Sequence, residues 1–296
     1  MSTRSLPAEL ADRARAWAAE DPDPAGRAEV LALLAKGDEA GLRERFDHPL
    51  AFGTAGLRGP LGAGPARMNR AVVRKTTAGL ARYLLDQGGG SGQDGRRGGS
   101  GAGPAGAVVV GHDARHGSAE FADDAARVLA AEGLRAWRFR SALPTPITAF
   151  AVRHLGAAAG VMVTASHNPA PDNGYKVYLG DGAQVIPPHD ALIAAAAEAS
   201  GVPTDQELAD GSGGRVLDVD ERALLAAYRR AAIEAVAPQG PRRLRSVYTP
   251  VHGVGGAVLP RLFEEAGFDP PALVASQAQP DPDFPTAPFP NPEEPG

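Results

Sequence analysis

Apolar and polar positions change period several times along the chain, and each change marks an element. Leu10, Ala14 and Trp17 recur at helical spacing until Asp21-Pro-Asp-Pro24 breaks the run. Val30, Leu31, Leu33 and Leu34 predict a second helix stopped by Gly37, and Asp38 can cap a third running through Leu42 to Phe46. These helices predict an N-terminal extension over residues 1–50, packed on the outside of the following domain and carrying no chemistry. A longer helix is predicted from Asn69 to Leu85, with Val72, Val73, Leu80, Ala81 and Leu84 on its apolar side. Short apolar runs then alternate with helical ones. Ala107 to Val110 reads as a buried strand, and Phe121, Ala125, Val128 and Leu129 as a helix capped by Ser118. Leu134 to Phe139 is the next strand, Leu143-Pro-Thr-Pro146 opens a helix through Phe150, Val152 and Leu155, and Val161 to Val163 is a third strand. Asn173-Gly174 signals a turn, after which Tyr175 to Tyr178 alternate as a returning strand. Asp190 can cap an Ala-rich helix through Ala199. This alternation predicts an α/β fold, a parallel or mixed sheet with covering helices.

Two stretches interrupt the pattern. Gln87 to Ala105 is dominated by glycine and predicts a disordered insertion. Gly201 to Arg215 is polar and glycine-rich, which places a boundary near Gly211 and divides the chain into domains over 51–210 and 211–296. Beyond it, Val219 to Val236 predicts a helix, Leu244 to Tyr248 a strand, and Val258 to Gly267 a further helix. With 296 residues and 43% hydrophobic content, there is enough apolar surface for two cores. A net charge of −5 without Lys or Arg runs gives no reason to expect nucleic acid or an anionic membrane surface. The chain has no cysteine, which excludes disulfides and thiolate metal sites, and it shows no leader and no apolar window of spanning length. A soluble cytoplasmic protein is expected; the oligomeric state is left open.

Chemistry gathers where the third strand ends. Gly160-Val-Met-Val-Thr-Ala-Ser-His-Asn-Pro169 runs from a buried strand into small polar residues and a proline, and Lys176 follows on the returning strand. Open α/β sheets bind ligands beyond their strand carboxyl ends, and a hydroxyl, an imidazole and an amine close together suit an activated nucleophile. A serine hydrolase would need a similar set, but the chain has no G-x-S-x-G elbow. Earlier, Phe52-Gly-Thr-Ala-Gly-Leu-Arg-Gly59 and Met68-Asn69 form a glycine loop around Arg58. Its spacing is neither the dinucleotide fingerprint nor a P-loop, yet it lets a backbone approach an anion while Arg58 offers a planar fork to phosphate. Asp113 and Arg115, in Gly111-His-Asp-Ala-Arg115, read as supports for the serine loop, His112 as exposed-turn material and His189 as structural.

T-A-S-H-N-P followed by N-G-Y-K-V-Y resembles the phosphoserine loop of the α-D-phosphohexomutase superfamily, the phosphoglucomutases and phosphomannomutases. F-G-T-A-G-L-R-G resembles that superfamily's first active-site loop, in the form of its phosphoglucomutase-2/phosphopentomutase-like branch. Y-T-P-V-H-G-V-G, from Tyr248, resembles the start of its second domain, where His252 is a weak contact candidate. The resemblance implies a mixed sheet covered by helices on both faces, followed by an incomplete second domain of the same type. It implies phosphoryl transfer between C1 and C6 of a hexose, or C1 and C5 of a pentose, through a phosphoserine and a bisphosphate intermediate. In that scheme Ser166, His167 and Lys176 are catalytic, Arg58, Thr164 and Asn168 bind substrate or phosphate, and Ser166 ligates Mg²⁺ through its phosphate. A sugar bisphosphate is the implied activator and a sugar phosphate the implied partner. Chains of the superfamily carry four domains, so this sequence is expected to stop inside the second. The Asp-x-Asp-x-Asp metal loop is absent, and Asp281 and Asp283 are not expected to replace it. The alternative expectation is a fragment that at most binds sugar phosphate.

Overall fold

The computed structural model describes residues 6–53, 56–89, 106–210, 214–236, 240–287 and 290–291. The N-terminal helices are α1 (Ala8–Glu20), α2 (Pro24–Lys36) and α3 (Glu39–Phe46). Gly37 ends α2 in the left-handed conformation, and the Asp38 carboxylate accepts the Gly41 amide at the start of α3. Leu10, Ala14, Val30, Leu42 and Phe46 form a small core of their own on one side of the molecule.

The chain then forms β1 (Leu57–Pro60), α4 (Arg70–Gly89), β2 (Ala107–His112), α5 (Ser118–Ala131), β3 (Arg135–Arg138), α6 (Thr145–Leu155), β4 (Ala159–Val163), β5 (Asp172–Leu179), α7 (His189–Glu198), α8 (Asp205–Asp210) and β6 (Arg215–Asp218). Among the described residues six strands make one sheet, in the order β1-β5-β4-β2-β3-β6. β4, β2, β3 and β6 run parallel, while β5 is antiparallel to both β4 and β1. The sheet is mixed, and strand alternation feeds two cores. Val108, Val110, Val161, Val163, Tyr175 and Val177 face α4, α5 and α7; Val109, Met162 and Tyr178 face α6. β6 lies beyond Gly211, so the sheet draws a strand from the far side of that glycine.

The remaining elements are α9 (Glu221–Ala235), β7 (Val247–Tyr248), α10 (Leu259–Glu265) and β8 (Ala272–Leu273). β7 and β8 pair in parallel, with α10 between them in sequence; α9 lies between α6 and α10. Val247 is 75% exposed on this small sheet.

The structure corrects several expectations. Asn173-Gly174 is not a turn: β5 begins at Asp172, and Asn173 and Gly174 pair with Gly59 and Arg58. The reversal lies earlier, over 164–171. Ser118 does not cap α5, whose N-cap is Gly117; its hydroxyl donates instead to the Asp113 carboxylate at 2.6 Å. Asp190 lies inside the first turn of α7, after Pro188 as N-cap. His112 is buried at the end of β2, paired with Val163. α4 continues to Gly89, through the first residues expected to be disordered; 90–105 lie outside the described residues. The expected strand from Leu244 shortens to Val247–Tyr248.

α4 and α7 approach closely at Gly79, where a Cβ would stand 2.5 Å from the Ala197 Cα. Gly79→Ala is therefore expected to force the helices apart and lower stability by about 1–3 kcal/mol. Urea unfolding of the purified chain checks this; an unchanged midpoint would contradict the helix packing.

Candidate active site

The site lies where the sheet changes winding direction. From β2 the chain crosses through α5 to β3 on one side, then through α6 back to β4 on the other side of β2. A crevice opens beyond the carboxyl ends of strands that diverge in this way. β2 delivers Asp113 there and β4 delivers Thr164. Their side chains meet, the Thr164 hydroxyl donating to Asp113 Oδ2 at 2.5 Å. The other Asp113 oxygen accepts from the Ser118 hydroxyl and, at 3.0 Å, from the Arg115 amide.

Ser166 sits two residues beyond Thr164 with φ of 58°, the left-handed region that L-residues rarely occupy. Its backbone is held from both sides. The Ser166 amide donates to Thr164 Oγ1 at 2.9 Å, and its carbonyl accepts from Arg115 Nη2 at 2.9 Å. With both backbone groups tied inward the residue itself is exposed, and it lines a cleft of about 400 Å³ beside exposed His167. Such strain costs about 1–3 kcal/mol and persists only where the surroundings over-determine it.

Arg115 does most of that holding. Nη1 donates to the carbonyls of Pro169 and Asp172 at 2.9 and 3.1 Å, and Nη2 to those of Ser166 and Asn168 at 2.9 and 2.7 Å. Burial works against its charge; Asp113, with Oδ2 3.5 Å from Nε, and Asp172 work the other way. Asn173 completes the support: its Nδ2 donates to the His116 carbonyl and Ser118 Oγ, and its Oδ1 accepts the Gly174 amide.

Strand register places the cations. Arg58 is paired with Gly174 and Met162 with Lys176, so Arg58, Lys176 and Met162 share the face of the sheet that carries α6. Gly174 has to be small there: a Cβ would come within 2.6 Å of the Thr164 carbonyl oxygen and 2.8 Å of that of Leu57. Arg58 Nη1 donates to Asn168 Oδ1 at 2.9 Å, and Asn168 Nδ2 donates to Asp172 Oδ2 at 2.7 Å. Burial pushes the Lys176 ammonium below the ordinary lysine range, the Arg58 charge pushes the same way, and Asp113 opposes them. Of the residues given catalytic or phosphate-binding roles from sequence, Thr164, Ser166 and His167 line the cleft itself. Arg58, Asn168 and Lys176 stand beside it, linked through the loop and through the field at Asp113.

The far wall comes from the C-terminal part of the chain: Pro250 to Val254, Asp281, Pro282 and Phe284. Val251 and His252 are both left-handed, at φ of 48° and 59°. His252 is buried, with Nε2 2.8 Å from the Thr286 hydroxyl, so it serves the wall's own structure. Phe284 carried no signal in sequence, yet its ring lies 4.8 Å from the Arg115 guanidinium. Asp281 and Asp283 are both engaged, Asp281 locally with the Asp283 amide and Asp283 across the cleft with His116. Among the described residues no group of three or more His, Cys, Asp or Glu is placed to hold a metal ion. Nor, among them, is any helix long and apolar enough to cross a membrane.

Family models for the phosphoglucomutase/phosphomannomutase alpha/beta/alpha domains I and II match residues 49–202 and 226–296. The chain belongs to the phosphoglucomutase/phosphomannomutase family. A probable phosphoribomutase of Schizosaccharomyces pombe is 40% identical over 95% of this chain and 47% of its own length. The phosphopentomutase of Mus musculus is 36% identical over 98% of this chain and 46% of its own. The chain thus spans about half the length of the curated relatives it matches. Among solved structures, a putative phosphomannomutase from Thermus thermophilus superposes with a TM-score of 0.61 at 28% identity, covering 81% of this chain and 48% of that one.

The electrostatics of this family member make one expectation measurable. Removing a positive neighbour stabilises an ammonium, so Arg58→Ala should raise the Lys176 pKa back toward the ordinary lysine range. An NMR titration of the lysine side chains reads this directly. A pKa that stays put or falls would mean that burial alone sets it.

Proposed function

We propose that this chain is the phosphoserine-bearing part of a cytoplasmic phosphosugar mutase, with Ser166 as the residue that carries the phosphoryl group. The observation that supports this best is the presentation of Ser166, exposed in the cleft on a left-handed backbone whose amide and carbonyl are both tied down. In the proposed reaction a hydroxyl of a bound sugar monophosphate attacks the phosphorus on Ser166. The Ser166 Oγ–P bond breaks, a sugar O–P bond forms, and the hydroxyl proton passes by way of Lys176 or His167 to the departing Ser166 oxygen. The resulting bisphosphate turns over in the cleft and returns its other phosphate to Ser166.

Charge neutralisation carries most of the catalysis in phosphoryl transfer. Arg58, fixed by Asn168, would supply it to the phosphate oxygens, with the Thr164 region of the loop as a further contact. A lowered Lys176 pKa suits proton transfer, since an acid–base group works best with a pKa near the working pH. Magnesium, when bound, would neutralise the transferring group. A phosphate carried on Ser166 would supply it with hard oxygen ligands. The alternative reading is a chain that binds sugar phosphate without turning it over. Relatives named phosphoribomutase and phosphopentomutase support a pentose 1-phosphate as substrate, with glucose 1-phosphate as the other choice. We place the junction between the two α/β units after Asp218, where the strand that completes the first sheet ends.

Intact mass and a mutase assay with Mg²⁺ test the proposal, comparing the wild-type chain with Ser166→Ala. Glucose 1-phosphate and ribose 1-phosphate are each supplied with the corresponding bisphosphate. A single phosphate on Ser166, lost in the variant together with any turnover, is the expected result. A chain that binds sugar phosphate equally well in both forms and never takes up phosphate would establish the second reading instead.

A further inference from the structure

Arg115 connects the loop that carries Ser166 to the far wall of the cleft. Four of the five N–H groups of the Arg115 guanidinium are spent on loop carbonyls, and the fifth points toward Asp113 at 3.5 Å. A guanidinium saturated in its plane has only its faces left to offer. One face is covered by the Phe284 ring, 4.8 Å away. Phe284 is itself buried and held at φ of 47°, a conformation that an unconstrained phenylalanine does not choose. The segment around it is anchored in both directions. Toward its own domain the Asp281 amide donates to the His252 carbonyl; toward the first domain Asp283 Oδ1 stands 2.7 Å from His116 Nε2, one residue from Arg115.

We propose that Phe284 clamps the serine loop through Arg115, so that both are positioning residues: the far wall sets how firmly Ser166 is presented. The ring attracts the cation and keeps water from its face, so it strengthens the four carbonyl bonds. The loop's irregular backbone would otherwise open easily, because few of its amides belong to a ladder. Its functional meaning rests on the reading of Ser166 as the reacting residue. The mechanical link does not.

Hydrogen exchange on the full chain tests the clamp at the amides of Ser166, Asn168 and Asp172, which bond to Thr164 Oγ1, the Ala165 carbonyl and the Pro169 carbonyl. Phe284→Leu, apolar but without a ring, is expected to speed exchange at these amides about tenfold and leave the amide of Val73 in α4 unchanged. Phe284→Tyr restores the ring and is expected to restore protection. Arg115→Lys keeps the charge but cannot span four carbonyls, so it should expose the loop as Phe284→Leu does. Unchanged exchange in Phe284→Leu would overturn the proposal. So would equal acceleration in the loop and in α4, which would make Phe284 a general packing residue. Should Arg115→Lys not fold, the two Phe284 variants decide alone. A clamped loop on a chain that never acquires phosphate at Ser166 would sink the mutase reading while leaving the clamp. A phosphorylated chain whose loop ignores Phe284 would do the reverse.

Discussion

A stretch of irregular backbone at the edge of a sheet has to find partners for its carbonyls, and here one buried guanidinium supplies four of them. Leaving such groups unpaired when buried costs about 1–3 kcal/mol each, so without Arg115 the reversal between β4 and β5 would lose its largest set of supports. The other supports follow from this one. Asp113 stands against the Arg115 side chain, accepts its amide, and also takes the hydroxyls of Thr164 and Ser118. Ser118 in turn receives Asn173, the second residue of β5, beside the loop's end. Side chains from β2, the start of α5, β4 and β5 thus close on one another around a single reversal. The serine is placed by a network rather than by its neighbours in sequence.

Much of this is legible without coordinates. The three N-terminal helices, the strand ending at Val163 and the helix opened by Leu143-Pro-Thr-Pro146 follow from periodicity and caps, because local rules decide them. Asn173-Gly174 misleads because a dipeptide's turn preference is a local statement. In the fold Gly174 is selected for its missing side chain, squeezed between the carbonyls of Thr164 and Leu57. Ser118 misleads as a cap for a similar reason: its oxygen accepts from Asn173 Nδ2, far along the chain, rather than from a local amide, while its hydroxyl donates to Asp113. His112 reads as turn material, but β2 runs on to pair it with Val163. Of the site, the strings around Arg58 and Ser166 name the loops, whereas Phe284 cannot be found in sequence. Its partner lies far back in the chain, and a ring over a cation leaves no periodic trace.

The cleft has two walls of different origin. One is the strand-end loop of the large sheet; the other is the left-handed pair Val251 and His252 with the segment that ends at Phe284. Backbone strain is stored on both sides of the same space, the usual location for conformations that only a finished fold can enforce. His116 with Asp283, and Arg115 with Phe284, are two points where the walls touch.

The positive φ of Ser166 also bears on which amino acid can stand there. Serine and threonine offer the same hydroxyl chemistry to a phosphoryl group, but a β-branched side chain crowds the backbone when φ is near +58°. Val251 shows that this fold can force such a residue into the left-handed region, so the bar is energetic and not absolute. At a position already held in place by Thr164 and Arg115, the extra methyl of threonine would add to the strain that those bonds must offset. The preference for serine here is thus written in the backbone before any substrate arrives.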